Sequence, residues 1–139
     1  MNDKFADSNI LLYLFSNDSA KKETALQIFN AHPIISFQVI GENMNVCLRD
    51  LKFTVEKSLT HAQELQKNCD VRHINATTIA CALQIFKRYK YSFWDSLIIA
   101  SALEAKCTTL YTEDLQHKQV IENIGENEDA KLTIVNPFL

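Results

Sequence analysis

Apolar residues along this chain fall into short bursts separated by longer stretches with helical spacing, and that alternation predicts the elements. Residues 4–7 read as a very short strand feeding directly into a helix over 10–15. Asn17, Asp18 and Ser19 offer a turn and an N-cap for a second helix, whose Ala25, Leu26, Ile28 and Phe29 lie among charges. Pro33 stops that helix, and Ile34, Ile35 and Ser36 read as a short buried strand. Ile40, Met44, Cys47 and Leu51 then share one face of a further helix. Next come a helix over 54–68, a strand over 70–74, and a helix from 76 to about 89 that Asn75 can cap. Residues 93–105 leave little polar face, which predicts a centrally buried helix. Residues 108–111 and 133–135 supply a fourth and a fifth strand, with a loop-like acidic stretch over 125–131 between them. Short strands alternating with helices imply a mainly parallel sheet covered on both faces. Ligands of such sheets bind at the carboxyl ends of the strands, near a switch in strand order.

Composition narrows this picture. A chain of 139 residues has the length of one domain, 1–139, with a real core. Two glycines and two prolines are too few for an all-β fold with many tight turns. The four cysteines, Cys47, Cys69, Cys81 and Cys107, form no C-x-x-C pair, and their apolar neighbours mark them as buried free thiols. His32, His61, His73 and His117 have no mutual spacing of a ligand pair, so surface or structural roles are expected for them. The start of the chain lacks the basic segment of a secretion signal, and its first apolar run is too short to span a bilayer. A cytoplasmic protein is the expectation, with no membrane partner. No phosphate-cradling glycine loop is visible.

The formal net charge is −3, whereas proteins that hold nucleic acid by charge alone are basic. A nucleic-acid function here must rest on a local basic patch, on bound cations, or on both.

Four acids follow successive strands. Asp7 ends the first, Glu42 lies one turn into the helix after the second, Asp95 sits near the start of the buried helix, and Asp114 lies just past the fourth strand. In a parallel sheet those ends share one rim, so the four can converge. Converging carboxylates resist ionisation unless a cation holds them deprotonated. Oxygen ligands without histidine or cysteine suit Mg²⁺ or Mn²⁺. Such an ion binds a scissile phosphate, acidifies an attacking water and stabilises the leaving oxygen. Each acid also has a plainer reading. Asp7 can be a helix N-cap, and Asp95 the second half of a capping box with Ser92. Glu113 and Asp114 can favour the start of a short helix from Leu115. Glu42, at the edge of an apolar face, can be a solvated charge. Taken singly, the plainer reading is the better one for each.

Their flanks change that balance. Ala6-Asp7-Ser8-Asn9-Ile10-Leu11 and Ser36-Phe37-Gln38-Val39-Ile40-Gly41-Glu42 resemble the first two sequence blocks of the PIN-domain family. Ser92-Phe93-Trp94-Asp95-Ser96-Leu97 resembles the third, and Leu110-Tyr111-Thr112-Glu113-Asp114-Leu115 with the terminal Asn136-Pro137-Phe138 completes the ordered set. The resemblance covers the chain nearly end to end. It implies an α/β/α sandwich around a mainly parallel sheet, here of about five short strands, and a Mg²⁺- or Mn²⁺-dependent endoribonuclease. The compact length is similar to that of VapC-type toxins of type II toxin–antitoxin pairs, which implies a cognate antitoxin and a homodimer. Carried over by position, Asp7, Glu42, Asp95 and Asp114 are the catalytic and metal-binding acids. Asn9 and Thr112 orient carboxylates or water, and Glu113 supports or substitutes for Asp114. The acidic stretch 126–129 and the scarcity of glycine depart from many relatives without removing a ligand.

Lys87, Arg88, Tyr89, Lys90 and Tyr91, just before the helix bearing Asp95, form the densest basic patch. Cations interleaved with aromatics suit RNA phosphates and unpaired bases, but a helix C-terminus favours the same cations. Two rivals to the ribonuclease remain. One is a catalytically silent PIN-like module that binds RNA or protein. The other is a phosphatase acting through Asp7, against which Asn9 stands where a second acid is needed.

Overall fold

The structure is a computed structural model and describes residues 2–122, 124 and 130–139. Most of the acidic stretch, residues 125–129, lies outside the described residues. The strands are β1 (Lys4–Ala6), β2 (Ile34–Ser36), β3 (Asp70–Arg72), β4 (Thr109–Tyr111), β5 (Val120–Glu122) and β6 (Lys131–Val135). The helices are α1 (Ser8–Leu12), α2 (Ser19–Asn30), α3 (Phe37–Arg49), α4 (Val55–Asn68), α5 (Ala76–Tyr89) and α6 (Phe93–Glu104). A 3₁₀ turn, Tyr13–Phe15, continues α1, where the sequence suggested a single helix over 10–15.

The sheet order is β3-β2-β1-β4-β6-β5, parallel except for β5, which pairs antiparallel with β6. This is the expected mainly parallel sheet flanked by helices, with one strand more than the five predicted. Residues 120–122 escaped prediction because only Ile121 is buried, and a three-residue edge strand carries too little alternation to register.

Helix starts follow local chemistry. The Asp18 carboxylate accepts the Ala20 and Lys21 amides, Thr54 accepts that of Lys57, and Asn75 and Thr78 form a reciprocal capping box. Helix α6 is buried on every side from Ser96 to Leu103, because it packs against β2, β4 and β6 beneath α5. Its missing polar face thus reflects position. Helix α3 is phased differently from the prediction: Val39, Asn43 and Cys47 are buried, whereas Leu51 lies beyond the helix and is exposed. The four cysteines are free, as expected; Cys47, Cys69 and Cys107 are also buried, whereas Cys81 is only partly so. Among the described residues no helix is long and apolar enough to cross a membrane.

Candidate active site

The chain runs outward from β1 through β2 to β3, then returns to place β4 and β6 on the other side of β1. The switch in strand order therefore falls between β1 and β4. Their register sets Ala6 opposite Tyr111, and the Asp7 amide donates to the Tyr111 carbonyl at 2.9 Å. The Thr112 amide donates to the Val135 carbonyl at 3.0 Å. Asp7 and Thr112 thus leave the sheet side by side, at the place where such folds bind ligands.

Asp7 is only 5% exposed. Its Oδ1 accepts the Ser8 amide at 2.7 Å, and its Oδ2 accepts the Thr112 hydroxyl at 2.9 Å. Thr112 Oγ1 accepts in turn from Asn9 Nδ2 and from the Asp114 amide, both at 3.2 Å. Asn9 Nδ2 also donates to Asp114 Oδ2 at 2.7 Å, and Asn9 Oδ1 receives the Glu113 amide at 3.4 Å. Asn9 and Thr112 therefore brace Asp7 against Asp114. The N-cap reading of Asp7 holds as well, through Ser8, so one carboxylate serves the helix and faces the site.

Burial pushes Asp7 up to about 7; the Ser8 amide and Thr112 hydroxyl pull against this, and the charges of Glu42 and Asp114 add to it. Burial also raises Glu42, with Gln38 and Ser8 opposing and Asp95 and Asp114 adding. Asp95 is raised by burial first, less a contribution from Ser92, with Asp114 adding. Four acids from distant parts of the chain thus feel one another's charge at a single rim.

Glu42 is half-buried, not a solvated charge at a helix edge; the Gln38 and Ser8 side chains lie beside its carboxylate, but no hydrogen bond of ordinary geometry reaches its buried Oε1, nor Ser8 Oγ or Gln38 Oε1. Asp95 does not complete a capping box. Its amide donates to Ser92 Oγ at 3.1 Å, and its carboxylate makes no return bond. No helix follows Asp114 either, so the helix-start reading of Glu113 and Asp114 falls away. Glu113 turns elsewhere, to the Tyr13 hydroxyl.

No lysine or arginine pairs with these four acids among the described residues. Nor, among those residues, do three acids, histidines or thiols stand close enough to grip one ion together. The acids form an electrostatic cluster wider than a closed metal cage. Lys87, Arg88 and Lys90 are exposed; the Arg88 guanidinium donates to the Glu122 carbonyl at 3.0 Å and lies over the Tyr89 ring. Ser8, Gln38 and Asn43 are site neighbours that sequence reading passed over. Asn43 alone left a signal, as a polar residue between Val39 and Cys47 on a buried stripe.

A helix-covered parallel sheet with an acidic cluster at its switch point defines an α/β/α domain with one rim-borne site. The family model for the PIN domain matches residues 4–123, and the chain belongs to the PIN-domain family. No curated protein matches it by sequence. Solved structures share its fold. A toxin–antitoxin complex from Klebsiella pneumoniae is 20% identical with a TM-score of 0.69, over 96% of this chain and 97% of that one. The Mycobacterium tuberculosis VapC20 structure, a sarcin-ricin loop cleaving toxin, is 20% identical with a TM-score of 0.63, over 80% and 89%. The DNA-bound VapBC of Salmonella typhimurium is 15% identical with a TM-score of 0.67, over 96% and 97%.

Proposed function

We propose that residues 1–139 act as one nuclease domain, a metal-dependent endoribonuclease hydrolysing RNA phosphodiester bonds. The observation that carries this reading is the gathering of Glu42, Asp95 and Asp114 about the buried Asp7 carboxylate, with none of the four paired to a lysine or arginine among the described residues. The orphaned Glu42 Oε1 and the all-oxygen donor set suit a hard divalent cation, Mg²⁺ or Mn²⁺. A wide acid cluster also suits Mg²⁺, which keeps several waters and binds through one or two carboxylates. Such an ion supplies Lewis acidity at the phosphate and an acidified water.

The chain's own residues do the rest. Asp7, Glu42, Asp95 and Asp114 are the catalytic and metal-holding acids. Thr112 and Asn9 fix the direction of the Asp7 and Asp114 carboxylates. Lys87, Arg88 and Lys90 offer positive charge to the RNA backbone on the approach to α6. By analogy with the toxin–antitoxin complexes that share the fold, the protein is the toxin of such a pair, held by a cognate antitoxin. It works in the cytoplasm as a homodimer.

Cleavage of RNA in Mg²⁺ or Mn²⁺, lost on chelation and in both Asp7→Asn and Asp95→Asn while the fold persists, is the expected result. Full activity of both variants overturns the site. Metal-independent RNA binding without cleavage selects the silent-module alternative.

A further inference from the structure

A buried polar relay reaches the acids from behind, through residues with no part in the chemistry above. Asn43 follows Glu42 on α3 and is fully buried. Its Nδ2 donates to the Val39 carbonyl at 3.0 Å and to the Ser8 carbonyl at 3.3 Å. Its Oδ1 lies 2.8 Å from Nε2 of His61, a buried residue of α4. Two carbonyl acceptors fix which end of the amide carries hydrogen, so the Asn43 oxygen faces His61 and Nε2 must be the donor. The His61 ring is seated edge-on against Phe15, with centroids 4.7 Å apart.

Ser8 is consequently held at both ends. Its amide donates to Asp7 Oδ1, and its carbonyl receives Asn43. Through that one residue, the backbone beside Asp7 is tied to the helical position beside Glu42. A buried amide is unfavourable unless its hydrogen bonds are made, and here three of its four are. A leucine at this register would fill the space between α3 and α4 without placing anything.

We infer that Asn43, oriented by His61, is a positioning residue that sets the placement of Asp7 relative to Glu42. The inference rests on the metal-nuclease reading of the acids. It predicts that breaking the relay weakens metal affinity more than turnover, because the ligands stay present but lose their fixed spacing.

The test is Mn²⁺ binding to the whole chain, followed by electron paramagnetic resonance of the free ion, beside thermal melting in chelator and cleavage at saturating Mn²⁺. His61→Phe keeps the ring and its Phe15 contact but removes the donor; His61→Gln keeps a donor; Asn43→Leu removes the relay. We expect the Mn²⁺ dissociation constant to rise about tenfold in His61→Phe and Asn43→Leu, with His61→Gln near wild type and turnover at saturating metal largely kept. Should Asn43→Leu not fold, the two His61 variants carry the comparison. A lower melting temperature in His61→Phe with unchanged Mn²⁺ affinity overturns the inference and leaves the nuclease reading standing. Failure of the wild type to bind Mn²⁺ overturns both.

Discussion

The Tyr13 hydroxyl sits 2.8 and 2.9 Å from the two carboxylate oxygens of Glu113, so this acid is engaged by the 3₁₀ turn after α1 while its neighbour Asp114 is held by Asn9. The hydrogen bond to Glu113, with burial and nearby acids adding, pushes the phenol up to about 12. Adjacent acids thereby have different work. Glu113→Gln is expected to lower stability by about 1 kcal/mol and cleavage by less than about tenfold. Asp114→Asn is expected to lower cleavage by about a hundredfold or more at little cost in stability. Steady-state cleavage and chemical denaturation of the two variants check this, and equal loss of activity in both would refute the division.

Asp7 gives the metal-free protein a pH signature. Its folded pKa of about 7 lies above the ordinary 3.8, so between those values the folded state binds more protons than the unfolded one. Stability therefore falls as pH rises through that window, and the loss is complete above pH 7. Without metal, Asp7→Asn should outlast wild type above pH 7 by on the order of 2 kcal/mol, and the gap should close toward pH 4. Added Mg²⁺ or Mn²⁺ should raise the melting point of wild type and not of the variant. His61, lowered by burial to about 4, acts with the opposite sign: its contribution is present above pH 6.5 and is lost toward pH 4. Melts of Asp7→Asn and His61→Phe across pH 4–8 separate the two.

With so few glycines, the chain turns out of its helices on other residues. Lys106, just past α6, has φ 59°, and Lys90 at the end of α5 has φ 61°. A side chain with a Cβ is disfavoured in this left-handed region, by roughly 1 kcal/mol. Lys106→Gly should therefore stabilise the fold by about 0.5–1 kcal/mol, read as a higher denaturation midpoint with unchanged slope. Destabilisation would show that the lysine makes a contact worth more than its backbone strain.

Trp94, the sole tryptophan, precedes Asp95 and is 63% exposed. Its fluorescence is a native reporter of what reaches the acids. Single-stranded RNA added in chelator, so that nothing is cut, should quench it through base stacking. Substituting Lys87 and Lys90 together by alanine should weaken that binding and lower its salt slope by up to about 2. An unchanged slope would place the RNA path elsewhere.

Much of the architecture was legible because hydrophobic periodicity is a local property of the chain. Ile34-Ile35-Ser36 reads as a buried strand between helices and Thr109-Leu110-Tyr111 as a strand after the apolar helix, and the polar-free run through α6 announced a central position. Strand β5 was not legible, since its pairing with β6 depends on Ile121 finding Leu132 across the sheet. The phase of α3 was misread for a similar reason. Hydrophobicity alone places Cys47 on the buried face, but only the approach of α1 and α4 explains why Asn43 is sunk while Leu51 is exposed.

The candidate acids show the same division. Order along the chain and flanking motif were enough to nominate Asp7, Glu42, Asp95 and Asp114, since an acid within a recognisable block of flanking residues is visible in one dimension. What each carboxylate touches was not visible, because hydrogen bonds such as Asn9 to Asp114 and Thr112 to Asp7 join residues about a hundred positions apart. The sequence by itself determined most of the elements and nominated the acids carried on or beside them, through spacing and local propensity. Only the tertiary structure decided that Glu113 turns to Tyr13, that Glu42 is left with an orphaned oxygen, and that Ser8 is gripped from both sides. Those outcomes depend on directions and distances that exist only once the strands are in register and the helices have packed.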